Sequence, residues 1–94
     1  MREQRFTLDD DLPKSVRKFL ASRDAQTQRA IFDAFETIRQ SPFYHPAPKR
    51  IRRLHGKLEG YFRYRLGDLR IVYRVDVAQH VVSIDEVDDR GDIY

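Results

Sequence analysis

Apolar positions along the chain follow different periods, and each period predicts a different element. Gln4–Leu8 alternates weakly, as a short first strand does. Leu12, Val16, Phe19 and Leu20 then fall at i, i+4, i+7 and i+8, the stripe of an amphipathic helix. Asp9-Asp10-Asp11 marks its start, with Pro13 in the first turn and the acids at the positive end of the dipole. Ser22-Arg23-Asp24 breaks this helix, and Asp24 suits the N-cap of a second one running to Gln40. Ile31, Phe35 and Ile38 form the apolar face of that helix, widened by Phe32 and Ala34. Ser41-Pro42 ends it, because a residue before proline is pushed out of the α region. So short a connection predicts a helical hairpin.

The second half changes period. The proline-rich segment Pro42–Pro48 reads as a loop wrapping the domain, and Lys49–Gly56 as a basic connector. Three strand-like runs follow, Tyr61–Leu66, Leu69–Asp76 and Val81–Val87, separated by Gly67-Asp68 and Val77–His80. A two-residue turn at Gly67-Asp68 sets the register of the first two. One face then carries Phe62 opposite Tyr73, Tyr64 opposite Ile71 and Leu66 opposite Leu69, an apolar ladder to pack under the helices. The other carries Tyr61 opposite Arg74, Arg63 opposite Val72 and Arg65 opposite Arg70. Like charges directly opposite cost roughly 0.2–1 kcal/mol, which a fold tolerates most readily where an anion or acidic partner sits between them. The alternative is a wet sheet face neutralised by Glu59, Asp85 or Glu86 in surface ion pairs.

Composition narrows the classes. With 94 residues, 40% apolar and 35% charged, the chain is expected to form one compact domain, residues 1–94. It has no Cys, so disulfides and Cys-based zinc sites are excluded, and His45, His55 and His80 have no metal-ligand spacing. No metal and no cofactor are expected. No apolar run reaches the length of a membrane span and Met1–Asp11 lacks a secretory apolar core, so a cytoplasmic protein without membrane contact is expected. The net charge of +3 conceals a polarity. Lys49–Arg74 holds nine basic and two acidic residues, a local +7, and the rest of the chain carries −4. Fourteen of the eighteen basic residues are Arg, which suits bidentate phosphate contact and cannot accept a proton. The polarity points to a polyanion, with a solvated surface as the alternative.

Leu54-His55-Gly56, then Gly60-Tyr61-Phe62-Arg63-Tyr64-Arg65-Leu66-Gly67-Asp68-Leu69-Arg70-Ile71-Val72-Tyr73, then Val87–Tyr94 closely resemble the RelE/ParE superfamily of bacterial toxins, RelE-like branch favoured. The resemblance covers essentially the whole chain. It implies an α+β fold, β-α-α-β-β-β, with the helical hairpin packed on a small antiparallel sheet. It also implies a cognate antitoxin, with operator DNA reached only through that antitoxin. RelE-like members are endoribonucleases that cut mRNA, usually on the ribosome and without a metal ion. ParE-like members instead poison DNA gyrase without catalysis, and a degenerate module that only binds antitoxin is a third outcome.

Residue by residue, Arg70 matches the arginine of the family's central strand. Arg63 and Arg65 stand where the RelE branch places basic residues, frequently lysines, and Arg90 and Tyr94 match the closing Arg and Tyr. These five are the candidate catalytic residues. The arginines suit stabilisation of a pentacoordinate phosphate but not proton transfer. Tyr94 can transfer a proton if nearby arginines lower its pKa, or stack on a base. Lys57 and His55 are reserve proton carriers. Lys49, Arg50, Arg52, Arg53, Lys57, Tyr61 and Arg74 are candidate RNA contacts, and Lys49–Arg53 serves equally for ribosomal RNA phosphates or for acidic antitoxin residues. Asp88-Asp89 departs from the family, where many relatives have Gly followed by His or Lys.

Overall fold

The computed structural model describes residues 6–47 and 49–89. Two helices cover one face of a five-stranded mixed sheet. β1 (Thr7–Leu8) leads into α1 (Lys14–Ala21) and α2 (Ala25–Gln40). β2 (Ile51–Arg53), a 3-10 turn over Gly56–Leu58, and β3 (Tyr61–Leu66), β4 (Leu69–Asp76) and β5 (Val81–Asp88) follow. The sheet order is β1-β5-β4-β3-β2. β1 runs parallel to β5, tied by Thr7 N–H to the His80 carbonyl and Asp9 N–H to the Val82 carbonyl, both 2.8 Å. All other pairs are antiparallel.

The α+β class and element order are as the sequence predicts, with two differences in the sheet. It is mixed, because β1 lies parallel beside β5 at one edge, and the helical hairpin carries the chain from there to β2 at the opposite edge. It also gains β2 inside the basic connector. β2 is an edge strand whose two arginines, Arg52 and Arg53, are both exposed, so it lacks the apolar alternation that signals a strand.

The helices form as their stripes require. Val16 and Leu20 of α1 pack with Ile31, Ala34, Phe35 and Ile38 of α2 over Phe62, Tyr64, Ile71, Tyr73, Val82, Ile84 and Val87. The Asp24 carboxylate accepts from Thr27 N–H at 2.9 Å and caps α2. That bond, lost on protonation, holds the carboxyl below its ordinary value. Two helical expectations fail. α1 starts only after Pro13, whose extended backbone (ψ 152°) leaves Asp9–Asp11 outside the first turn, where Asp9 instead accepts from Asp11 N–H at 3.0 Å. Phe32 does not widen the core face. It lies 50% exposed, about a hundred degrees round the helix from Ile31, with its ring edge-on to Phe35.

The β3–β4 register is the predicted one at all six pairs, Tyr61 with Arg74 through Leu66 with Leu69. Gly67 takes φ +61° as the first turn residue and Asp68 is not among the positive-φ residues, the pattern of a II′ turn. Between β4 and β5 the ladder slips. Tyr73 pairs with Ile84 but Val72 pairs with Glu86, so Asp85 is the extra residue of a bulge. The bulge reverses the alternation of β5. Val82 and Ile84 face the helices before it and Val87 after it, while Glu86 and Asp88 turn to the opposite face.

Candidate functional site

The face of the sheet away from the helices carries two cross-strand lines. One runs Arg52, Arg63, Val72, Glu86 across β2, β3, β4 and β5. The other runs Arg65, Arg70, Asp88 across β3, β4 and β5. Each line is basic at the β2–β3 side and acidic at β5. At the basic side a cleft of about 550 Å³ opens, lined by Lys49, Arg52, Arg53, Arg63, Arg65 and Arg70, with Leu54, His55 and Leu58 completing the wall.

The guanidinium groups differ in setting. Arg70 is 3% exposed, and its Nη2 donates to Asp88 Oδ2 at 2.9 Å and lies 3.8 Å from Glu86 Oε1. Buried charge requires such partners. Arg63 is 8% exposed, and its Nη2 donates to the Lys49 carbonyl at 3.1 Å. Lys49 itself sits at φ +70°, a strained setting for a non-glycine residue, so this bond fixes a backbone turn at the cleft wall. Arg65 is half-buried, and Arg52 and Arg53 are exposed. Burial, and then the neighbouring Asp88 carboxylate, push the Glu86 carboxyl above its ordinary value.

Six of the predicted basic residues therefore converge: Lys49, Arg52, Arg53, Arg63, Arg65 and Arg70. Others lie elsewhere. The Arg50 guanidinium stands 5.8 Å over the Tyr64 ring. Arg74 stands 5.6 Å over Tyr61 and borders a separate depression with Asp9 and Asp76. Lys57 is exposed on the 3-10 turn and is not among the residues lining the cleft. Arg90 and Tyr94 lie outside the described residues. His55 also lines the cleft, with its Nδ1 4.0 Å from Glu59 Oε1.

Of the acids weighed as neutralisers, Glu86 reaches Arg70 but Asp88 holds it more closely, at 2.9 Å, while Asp89 pairs with Arg23 at 3.0 Å. Asp88 went unrecognised as the Arg70 partner because unbroken alternation from Val82 places it on the helix side. Only the bulge moves it. The described residues include no group of acids and histidines able to hold a metal ion. No described helix is long and apolar enough to cross a membrane.

Residues 10–94 match the family model of the ParE toxin of the type II toxin–antitoxin system, parDE. No curated protein sequence matches the chain. Among solved structures, the toxin–antitoxin complex RelBE2 from Mycobacterium tuberculosis is similar at TM-score 0.76 and 25% identity, over 97% of this chain and 98% of that one. The RelE–RelB complex from Pyrococcus horikoshii OT3 gives 0.67 and 24%, over 96% and 98%. The YoeB/ParE toxin from Agrobacterium tumefaciens gives 0.68 and 20%, over 89% and 95%. The latter two speak to the fold, which is this arrangement of two helices on a mixed sheet. A family match that spans both helices, the arginine-bearing hairpin and the closing segment leaves one assignment: the chain belongs to the ParE toxin family of type II toxin–antitoxin systems, within the RelE/ParE superfamily.

Proposed function

We propose that this toxin cuts mRNA held on the ribosome, the RelE-type activity within its superfamily. One observation carries the reading: the 550 Å³ cleft into which three neighbouring strands and Lys49 bring six cations. A cleft of roughly 300–1,000 Å³ takes a ligand the size of a nucleotide. Guanidinium groups held by strands match a phosphodiester bidentately and need little reorganisation as charge develops on it.

In the reaction a 2′-hydroxyl attacks the adjacent phosphorus, the bond to the 5′-oxygen breaks, and that oxygen takes a proton. Each fixed donor on the pentacoordinate phosphate is worth roughly 10²–10³ in rate. Arginine cannot perform the proton transfers. They fall to His55 in the cleft wall or to Tyr94, and the ribosome supplies the in-line geometry.

Inducible expression without antitoxin, followed by primer-extension mapping of message 5′ ends, tests this. New ends within translated messages are expected, and Arg65→Ala should abolish them and the growth arrest while leaving the thermal midpoint close to wild type. Intact messages accompanied by a DNA-damage response would select the gyrase reading instead.

A further inference from the structure

The helix side of the β2–β3 edge carries a second arrangement of rings and cations. Phe62 and Tyr64, alternate residues of β3, each seat one ring from the loop after α2 and one guanidinium from the β2 segment. Against Phe62 lie the Phe43 ring, edge-on at 5.3 Å, and the Arg53 guanidinium at 5.7 Å. Against Tyr64 lie the His45 ring, edge-on at 5.9 Å, and the Arg50 guanidinium at 5.8 Å. Tyr44, between the two loop rings in sequence, is 68% exposed, and Phe43 is 48% exposed. Hydrogen bonds hold the loop that presents them. The Tyr73 hydroxyl donates to the Pro42 carbonyl at 2.6 Å, the Ser41 hydroxyl to the Tyr44 carbonyl at 2.9 Å, and Ala47 N–H to His45 Nδ1 at 3.0 Å. Exposed rings on a backbone already held in place bind a partner at little ordering cost.

Charge identifies what covers them. From Ser41 to Leu58 the chain has no Asp or Glu and carries Lys49, Arg50, Arg52, Arg53 and Lys57. Guanidinium groups interleaved with exposed rings suit unpaired nucleotides, whose bases stack on the rings while their phosphates meet the cations. Arg53 stands over Phe62 and also lines the cleft, so the rings and the cleft meet at this residue. We infer that Tyr44 and Phe43 form a stacking platform for an unpaired base of the message, beside the phosphodiester held in the cleft. The inference deepens the nuclease reading and rests on it for the identity of the strand. It gives the toxin a contact with a base outside the reacting phosphate, on the other side of the β2 edge.

Two probes of equal charge test it: a labelled 2′-O-methyl oligouridine, which cannot be cut, and an abasic 2′-O-methyl ribose oligomer of the same length. The full chain should bind the base-bearing probe more tightly. Tyr44→Ala should weaken that binding by about 5- to 150-fold, the loss of one stacked base, and leave the abasic probe unchanged. Stacking releases no phosphate counterions, so the slope of log K against log salt should keep its wild-type value. Tyr44→Trp, which keeps a flat ring, should restore binding. Phe32→Ala, which removes a ring 50% exposed on α2, is the control and should bind both probes as the wild type does. Tyr44 is exposed enough that its truncation should leave the thermal midpoint close to wild type.

Unchanged oligouridine binding by Tyr44→Ala overturns the inference, as does an equal loss on both probes. Equal affinity of the wild-type chain for the two probes, or none for either, also overturns it. Weaker ribosome co-sedimentation of Tyr44→Ala with unchanged probe binding places the ring on ribosomal RNA instead. Weaker binding of the antitoxin with unchanged probe binding places it on protein, and each of these results overturns the inference. Tyr44-dependent probe binding combined with uncut messages in the expression experiment overturns the nuclease reading alone. Cut messages combined with Tyr44-independent binding overturn the inference alone.

Discussion

Tyr73→Phe isolates the bond that ties the sheet to the loop leading into the cleft. Tyr73 is fully buried in β4, stacked on Phe62 at 5.7 Å, and its hydroxyl donates to the Pro42 carbonyl at 2.6 Å. Pro42 is itself buried and opens the segment that runs to Lys49. The substitution keeps the ring and removes one hydrogen bond, worth about 0.5–1.5 kcal/mol, while leaving a buried carbonyl short of a donor. The expected loss is about 1–2 kcal/mol, or about 5–15 °C in the thermal midpoint of a domain of this size. A second signature separates this bond from general loosening. Burial, and to a lesser degree Tyr64, push the Tyr73 hydroxyl above its ordinary value of 10.0. The folded state keeps that proton where the unfolded chain releases it. The contribution is therefore complete below pH 10 and lost as pH rises beyond it. Circular-dichroism melts at neutral and alkaline pH should show the wild type losing more stability on alkalisation than Tyr73→Phe. Equal midpoints at neutral pH, or parallel alkaline decline, would refute the reasoning.

Glu86→Gln should stabilise the protein at neutral pH more than at acidic pH. The Glu86 carboxyl is raised by burial and by Asp88, so its contribution is present below the ordinary value of 4.5 and lost as pH rises through the folded value. Chemical denaturation at several pH values checks this, and a constant difference between the two proteins counts against it. Gly67→Ala should cost about 1–3 kcal/mol, read as a lower denaturant midpoint. Nothing lies within 4 Å of the added Cβ, so the cost comes from φ +61° alone and not from a clash.

Legibility from the sequence divides along local against non-local causes. The β3–β4 register was readable because a Gly-Asp turn and an apolar ladder both demand it, and all six pairs form. The Asp24 cap was readable because it acts on Thr27, three residues away. β2 was not, because an exposed edge strand of arginines has no apolar alternation. The start of α1 was misjudged because Pro13 with an extended ψ outweighs the attraction between acids and a helix dipole. Convergence of Arg63, Arg65 and Arg70 followed from the register. Their unequal burial did not, since it depends on a bulge in β5 and on the Lys49 carbonyl reaching Arg63.

The bulge also explains how the sheet accommodates opposed arginines without losing a cationic cleft. Arg52 faces Arg63 and Arg65 faces Arg70, each pair costing roughly 0.2–1 kcal/mol in the absence of an anion. Had Glu86 and Asp88 faced the helices, the buried Arg70 would lose these two carboxylates, a far larger cost. With both acids on β5, Arg70 is compensated at close range. Adjacent strands lie about 4.8 Å apart, so the acids stand about 14 Å from β2. That exceeds the Debye length of about 8 Å at physiological ionic strength, so they do little to weaken attraction felt by an anion arriving at Arg52. The Asp88 carboxylate thus holds Arg70 at the centre of the sheet and leaves the β2–β3 edge positive, and a bound phosphate at that edge would relieve repulsion between opposed arginines.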